Sequence, residues 1–536
     1  MANKRQKLDI DYKDKFYQGL FDQSSTEKIE KAFKESKPYL HCKIDHLVND
    51  TLLRKVRQEI LSNLHFTLKE TDIYKVNQTG DLANLDGLPK NELEQLSSLF
   101  ELRNAIYSNE FRHFISQVTD CGPLSGSKMD MSINSYREGC HLLNHDDVIG
   151  TRRVSYILYL TDPEQPWQPK EGGALELYPV IEKGTPANEP TVVIPPQWNQ
   201  FVMFTVQPGH SFHSVEEVVS SRNRLSISGW FHIPQEGEIG YVANSKDSDA
   251  AKSSLEQLQE QKDTSDNFTK YTIENPQEEE IVGLTEDVLV DLAEWMNPQY
   301  LDLGLISQMS DKFLEESAIQ CKEILNEKTL AQLIKATTDM DQKDTLTGQD
   351  GIAPHGTGVG HGWRVEGPPH RSRFMVYQKE GEEDPIFDYL QRQFESESFR
   401  LWLATLTQLL PVGYRGQVRR FRPGHDYTLA TTNTRGQGVL DVTFCHVNKP
   451  QAWEDGEKGG YECYMAPHDE EEDAAVYKAA DEDGALLTLP AGRNELSLVL
   501  RDEGIMRFIK YVSAKAPGSR WDIAFEYDLP EEDEDE

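Results

Sequence analysis

The chain has 536 residues and carries 55 Lys and Arg against 91 Asp and Glu, a formal net charge of −36 at neutral pH. Such an acidic balance disfavours a broad phosphate-binding surface, so no direct nucleic-acid partner is expected and a basic protein partner is favoured. No apolar run is long enough to cross a bilayer and no secretory leader pattern opens the sequence, so no membrane partner is expected either. The length allows about two to four domains, each with its own core. Cysteines at positions 42, 121, 140, 321, 445 and 463 show neither paired metal spacing nor a dense disulfide pattern, which fits a reducing compartment. Cytoplasmic and nuclear residence is the expectation. The basic cluster Lys4-Arg5-Gln6-Lys7 reads either as a nuclear address or as a solvated terminus.

In chain order, Leu52, Leu53, Val56, Ile60 and Leu64 recur at helical spacing behind Asn49-Asp50, a plausible N-cap. Leu96, Leu99, Phe100, Leu102, Ile106, Phe111, Phe114 and Ile115 repeat the pattern. These helices are expected to buttress strands that occupy roughly 130–235, among them Val154–Leu160 and Arg224–Trp230, where side chains alternate. Ile73–Leu82 reads as an ordinary loop with a Thr-Gly-Asp turn. From 244 to 282 the sequence turns polar, with Gln277-Glu278-Glu279-Glu280, and predicts a linker that cannot bury enough apolar surface to fold alone. The expected organisation is a catalytic domain over 1–243, the linker, a second domain over 283–530 and an acidic tail over 531–536.

The chemistry concentrates in a few residues. His145 and Asp147, in Asn144-His145-Asp146-Asp147-Val148, lie two positions apart, which on an extended segment points both side chains to one face. His213, in Pro208-Gly209-His210-Ser211-Phe212-His213-Ser214-Val215, completes two imidazoles and one carboxylate, a triad that suits non-heme Fe(II) and leaves positions open. Eleven residues later Arg224 begins a strand. Its planar fork can grip the far carboxylate of a dicarboxylic co-substrate whose keto-acid end chelates the iron, and Tyr159 can add a phenolic donor. His-x-Asp, strand, Gly172-Gly173, strand, His and then Arg on a last strand follow the order of a double-stranded β-helix. The fold class expected is α+β, mainly β, with jelly-roll, cupin-like domains.

The segments Ser135-Tyr136-Arg137-Glu138-Gly139, His145-Asp146-Asp147, Arg152–Leu160, Gly172-Gly173, Ser211-Phe212-His213 and Arg224–His232 resemble the 2-oxoglutarate- and iron-dependent ribosomal prolyl 3-hydroxylases, to which fungal termination-associated prolyl hydroxylases are related. The likeness runs over essentially the whole chain and takes in Ile73–Leu82, where it implies a substrate-side wall as readily as a loop. It implies Fe(II) at His145, Asp147 and His213, 2-oxoglutarate at Tyr159 and Arg224, O2 as the oxidant and L-ascorbate as the agent that restores over-oxidised iron. It also implies that the substrate is a prolyl residue of the basic small-subunit ribosomal protein at the decoding centre, modified at carbon 3, with effects on translation fidelity or termination. His210 competes with His213 as distal ligand. His213 is preferred because in the related enzymes the strand after it places the arginine, whereas His210 follows a Pro-Gly turn and is expected to be exposed. His141 reads as a loop histidine. A nucleic-acid oxidative demethylase on the same metal site is disfavoured by the acidity, and a non-catalytic two-domain adaptor by the intact triad. The proline and the ring carbon attacked, the number of hydroxylations and the oligomeric state stay open in the sequence.

The second half repeats the order of the first. Phe421-Arg422-Pro423-Gly424 aligns with Tyr136-Arg137-Glu138-Gly139, Gly459-Gly460 with Gly172-Gly173, and Arg520-Trp521-Asp522-Ile523 with Arg224-Leu225-Ser226-Ile227. Counting outward from these anchors sets Ala430 against His145, Thr432 against Asp147, Ile509 against His213 and Phe444 against Tyr159. The expectation is a degenerate β-helix without iron, kept for substrate docking or domain packing. His425-Asp426, His355, His361 and His370 are scattered candidates for a second metal site, explained as well by exposed Gly-rich loops. Acidic runs at Asp469–Asp473 and Glu531–Glu536 read as solvated segments that could steer a basic partner.

Overall fold

The structure is a computed structural model that describes residues 11–82, 89–242, 267–272, 283–346, 351–378, 385–433, 437–466 and 485–530, without the side chains of 90–92 and 385. The Lys4–Lys7 cluster, Gln277–Glu280 and both acidic runs lie outside the described residues. The chain divides into two compact units, 1–257 and 258–536.

In the first unit the strands are β1 (His41–Ile44), β2 (Thr67–Glu70), β3 (Tyr74–Gln78), β4 (Met129–Tyr136), β5 (His141–His145), β6 (Arg152–Tyr159) and β7 (Leu175–Leu177). There follow β8 (Val180–Glu182), β9 (Thr185–Pro186), β10 (Val192–Ile194), β11 (Phe201–Thr205), β12 (His213–Val215) and β13 (Arg224–His232). Apart from the small β8–β9 pair they join in the order β1-β11-β6-β13-β4-β3-β5-β12-β7-β10, with β2 beside β3. β3 pairs with β4 at Asn77↔Ser135 and with β5 at Tyr74↔Leu142, so one strand hands the sheet from one wall to the other and curls it into a bowl. Within Ile73–Leu82, Tyr74–Gln78 is therefore a strand of that wall rather than loop, and the Thr-Gly-Asp segment 79–81 leaves it.

Two-residue alternation sorts the side chains. Tyr156, Leu158, Phe201, Met203, Leu225 and Ile227 face a core shared with the helices. Tyr136, Tyr159, Leu177, Val202, Phe204 and Val215 face the inside of the bowl. Asn49 caps the helix Asp50–Asn63 by accepting from the backbone of Thr51 and Leu52, and its buried stripe is Leu52, Leu53, Val56 and Ile60. Burying one such side chain contributes about 1.5–3 kcal/mol. The apolar run from Leu96 to Ile115 is broken into Ser97–Ile106 and Asn109–Thr119. Ser108 leaves helical geometry between them and its hydroxyl accepts from Phe111 N, a break invisible to apolar spacing because the period continues across it.

The second unit repeats the plan with β14 (Thr269–Lys270), β15 (Ala318–Lys322), β16 (Trp363–Glu366), β17 (Ser372–Tyr377), β18 (Gly413–Phe421) and β19 (Tyr427–Thr432). It continues with β20 (Val439–His446), β21 (Glu462–Met465), β22 (Ala485–Leu489), β23 (Arg493–Arg501), β24 (Met506–Ile509) and β25 (Arg520–Asp528). Their order is β15-β23-β20-β25-β18-β17-β19-β24-β21-β22, with β14 beside β18 and β16 beside β17. β14 lies inside the stretch predicted as linker. Phe268 next to it is buried and Thr269 pairs with Tyr414, so a short apolar anchor sits within an otherwise polar sequence.

Candidate active site

β5 ends at His145, and Asp147 then takes a left-handed backbone with φ 61°. The turn, rather than the pleat of one extended strand, aims this carboxylate at the imidazole, which corrects the same-face expectation. His213 opens β12 directly across the ladder from His145, and the two ring centroids are 4.2 Å apart. His145 Nε2 lies 3.3 Å from Asp147 Oδ1 and His213 Nε2 lies 3.4 Å from Asp147 Oδ2. One ligand atom from each residue falls within 4.8 Å of the others, and among the described residues this is the only group of three or more His, Cys, Asp or Glu so arranged.

The tautomers are set by the backbone. Nδ1 of His145 is 2.9 Å from the Leu143 carbonyl and Nδ1 of His213 is 2.8 Å from the Ser211 carbonyl. A carbonyl only accepts, so each Nδ1 carries a proton, and Nε2 is the nitrogen whose lone pair a metal can take once its own proton has left. Burial alone would raise the Asp147 carboxyl, but the charge on His213 and the contacts with both imidazoles hold it well below the usual carboxylate range. Burial alone would lower His145, yet its hydrogen bond to Asp147 and the charge there outweigh that and raise it. His145 keeps 23% of its side-chain surface exposed whereas Asp147 keeps 7%, so the site opens beside His145.

Arg224 is 1% exposed. Its Nε donates to the Gly173 carbonyl at 2.7 Å, Nη1 to Ser226 Oγ at 3.3 Å and Nη2 to the Tyr159 hydroxyl at 3.4 Å. The guanidinium carbon lies 4.7 Å from the Tyr136 ring centroid and 4.9 Å from that of Tyr159. All these partners are neutral. Among the described residues this buried cation has no carboxylate partner, the counter-ion that burial ordinarily demands, and a carboxylate brought in from outside would supply one. Burial pushes the Tyr159 phenol up, so it stays protonated; it accepts from Arg224 and keeps its own hydrogen to donate. A Cβ at Gly172, where φ is 72°, would meet the Glu217 carbonyl oxygen at 2.0 Å, and one at Gly173 would meet Arg224 Cδ at 3.0 Å. Gly173 leaves room for the arginine stem, and Gly172 lets the same loop close on the Glu217 backbone. Tyr136 and Ser226 are not singled out by the motif, although alternation from Arg224 and the cross-strand pair Arg224↔Tyr136 mark both.

The remaining histidines fall elsewhere. His141 is buried on β5 with Nδ1 against the Gly139 carbonyl, so it is a strand residue and not a loop histidine. His210 is half-buried in the turn before β12 and is outside the triad. His425 is buried with Nε2 on the Ala353 carbonyl, and Asp426 pairs with Arg422. Among the described residues, neither they nor His355, His361 and His370 belong to a metal-competent group.

The ladders correct the alignment of the halves. Arg520 pairs with Phe421 as Arg224 pairs with Tyr136, but Asp522 pairs with Cys445 where Ser226 pairs with Tyr159. Cys445, not Phe444, therefore matches Tyr159. Arg507 pairs with Thr431 and Tyr464 as His213 pairs with His145 and Leu177. His145 thus matches Thr431, His213 matches Arg507 and, one step on, Asp147 matches Asn433; Ala430, Ile509 and Thr432 are displaced. The cause is one extra residue in the turn after Phe421 and two after Val512, which counting from anchors cannot see. Arg507 sets its guanidinium against Glu462 at 2.5 Å and Asp441 at 3.3 Å. Arg520 has its own carboxylates, Asp522 at 3.2 Å and Glu462 at 3.6 Å. The second bowl carries internally the charges that the first leaves open.

The 2OG-Fe(II) oxygenase superfamily profile matches residues 131–232, and the profile described as oxoglutarate and iron-dependent oxygenase degradation C-term matches residues 287–536. Fold and site together define a 2-oxoglutarate- and Fe(II)-dependent oxygenase. Prolyl 3,4-dihydroxylase OGFOD1 of Ostreococcus tauri is 36% identical over 503 residues, covering 91% of this chain and 95% of that protein. Prolyl 3-hydroxylase OGFOD1 of Mus musculus is 28% identical over 574 residues, covering 91% and 89%. Prolyl 3-hydroxylase sudestada1 of Drosophila melanogaster is 25% identical over 509 residues, covering 90% and 81%. The chain belongs to the OGFOD1 prolyl hydroxylase family and is a 2-oxoglutarate-dependent prolyl hydroxylase, with O2 and a protein as its substrates.

Proposed function

We propose that His145, Asp147 and His213 hold the iron, that Arg224 and Tyr159 receive the distal carboxylate of 2-oxoglutarate, and that the protein substrate is a basic small-subunit ribosomal protein hydroxylated at carbon 3 of a prolyl ring. The observation that carries the site reading is the buried Arg224 guanidinium, whose partners among the described residues are all neutral, on the inner face of the bowl that brings together two imidazole Nε2 atoms and an ionised carboxylate. When bound, iron with 2-oxoglutarate supplies O2 activation and the power to oxidise an unactivated carbon, with succinate and CO2 as products.

The residues supply the rest. Arg224 fixes the co-substrate by charge and two parallel donors, and Tyr159 adds a hydrogen bond to the same carboxylate. Val202, Phe204, Leu177 and Val215 keep the interior apolar, which excludes water from the reacting carbon. The exposed edge of His145 is the side from which a prolyl ring can approach. A net charge of −36 supports a basic partner through long-range steering. Carbon 3 is the position common to the activities for which the O. tauri, M. musculus and D. melanogaster relatives are named. L-ascorbate would return over-oxidised iron to Fe(II). The second bowl, with Arg507 and Arg520 already paired, serves docking or packing rather than catalysis, and the enzyme works in cytoplasm and nucleus.

The test is succinate release with a proline-containing peptide of a basic small-subunit ribosomal protein, set against a methylated oligonucleotide. Stimulation by the peptide alone is expected. Stimulation by the oligonucleotide alone would replace the reading with a nucleic-acid demethylase.

A further inference from the structure

Trp230 stands on the inner face of β13, three alternations beyond Arg224. Its indole Nε1 donates to Asp147 Oδ2 at 3.0 Å, and the Ser155 hydroxyl donates to the same oxygen at 2.9 Å. The two donors are cross-strand neighbours, Trp230↔Ser155, and Asp130 lies opposite Trp230 on its other side. From there the Trp230 ring is clamped: the Arg152 guanidinium carbon sits 3.5 Å from its centroid, and Arg152 Nη2 is 3.2 Å from Asp130 Oδ2. Asp147 itself is held in a left-handed conformation and must be kept in place by something other than its strand.

The second bowl supplies an internal comparison. The residues at the corresponding ladder positions are Glu526 for Trp230 and Asp441 for Ser155, themselves a cross-strand pair. Where a guanidinium, Arg507, replaces the metal ligand, both donors have become carboxylates, and they pair with Arg501 and Arg507. Donors aimed at this point accompany a carboxylate ligand, and acceptors accompany a fixed cation.

We propose that Trp230, together with Ser155, is a positioning residue that occupies Oδ2 of Asp147 and so presents Oδ1 as the one oxygen given to the metal. This rests on the reading that Asp147 is an iron ligand. Outer-shell partners of this kind are typically worth tenfold to hundredfold in metal affinity or activity.

The experiment uses the full chain, with Co(II) as the metal and no substrate. Trp230→Phe keeps the ring that Arg152 covers and removes only the donor. It is expected to lower Co(II) affinity about tenfold to hundredfold and to change the visible absorption of bound Co(II), which reports coordination number, while the Tm of the metal-free protein holds. Trp230→Gln, which restores an N–H, is expected to recover part of the affinity. Ser155→Ala removes one hydroxyl from the same oxygen and carries the test if Trp230→Phe does not fold. Wild-type affinity and an unshifted spectrum in Trp230→Phe, or in Ser155→Ala where that variant stands in, would overturn the proposal. Asp147→Ala separates this from failure of the site reading: if that variant binds Co(II) normally, Asp147 is no ligand, whereas if it loses Co(II) and the donor variants do not, only the positioning role falls.

Discussion

Replacing Arg224 by Ala tests the co-substrate anchor quantitatively. The guanidinium is 1% exposed and fixed by Gly173, Ser226 and Tyr159, so a bound carboxylate would meet a desolvated, preoriented fork. Removing one partner of such a buried charge pair costs roughly 2–5 kcal/mol. At about 1.4 kcal/mol per tenfold, the concentration of 2-oxoglutarate needed for half-maximal decarboxylation should rise by about one and a half to three and a half orders of magnitude. The assay is succinate or CO2 release over a 2-oxoglutarate titration, paralleled with a 2-oxo acid of the same length that lacks the distal carboxylate. The wild type should prefer 2-oxoglutarate by a factor of that size, and Arg224→Ala should lose most of the preference. Because the preference is a ratio within one variant, any fall in stability from the unpaired Gly173 carbonyl cancels. An unchanged requirement and an unchanged ratio would refute the reasoning and move the anchor elsewhere; Arg222, engaged with Glu171 at 2.9 Å, is the first alternative.

Three further outcomes are expected. Arg520→Ala leaves Glu462 and Asp522 buried with a partner missing, which should destabilise the second unit by about 3–5 kcal/mol in denaturant unfolding while leaving the 2-oxoglutarate requirement of the folded enzyme unchanged; a raised requirement would tie the second bowl to the site. The raised pKa of His145 means that a proton competes with the metal at Nε2. Metal affinity should therefore climb as the pH rises through the raised His145 pKa, by up to about tenfold per unit below that pKa, and flatten above it; titration with Co(II) that shows no slope on the alkaline side of the ordinary imidazole range would contradict this. Purified protein should take up a single catalytic iron, and Asp147→Ala should lose it with little change in far-ultraviolet circular dichroism; a second equivalent that survives the substitution would point to a site in the other half.

Much of the first domain is legible in the sequence because its signals are local. The cap at Asn49, the alternation after Arg224 and the glycine pair each constrain a few neighbouring residues. The triad is legible because three ligand residues of two types, His and Asp, stand in a fixed order along the chain. What the sequence hides is geometry set at a distance. Asp147 reaches the site through a left-handed turn rather than the pleat, which the spacing His-x-Asp cannot distinguish. Trp230 and Ser155 matter through a cross-strand register that appears only once β6 and β13 are paired. In the second half, one extra residue after Phe421 and two after Val512 shift every counted position. A one-residue slip in a strand exchanges the two faces, which is why Phe444 lies in the helix-facing core while Cys445 faces the bowl. The short strand Thr269–Lys270 is hidden because a single apolar residue, Phe268, anchors it amid polar sequence.

The most direct test of the central claim is mass spectrometry of a basic small-subunit ribosomal protein incubated with the full chain, Fe(II), 2-oxoglutarate and isotopically heavy O2. The account predicts one heavy oxygen on a prolyl ring carbon and one in succinate, with both lost in Asp147→Ala. Heavy succinate without any labelled proline, or labelled proline that persists in Asp147→Ala, would contradict it.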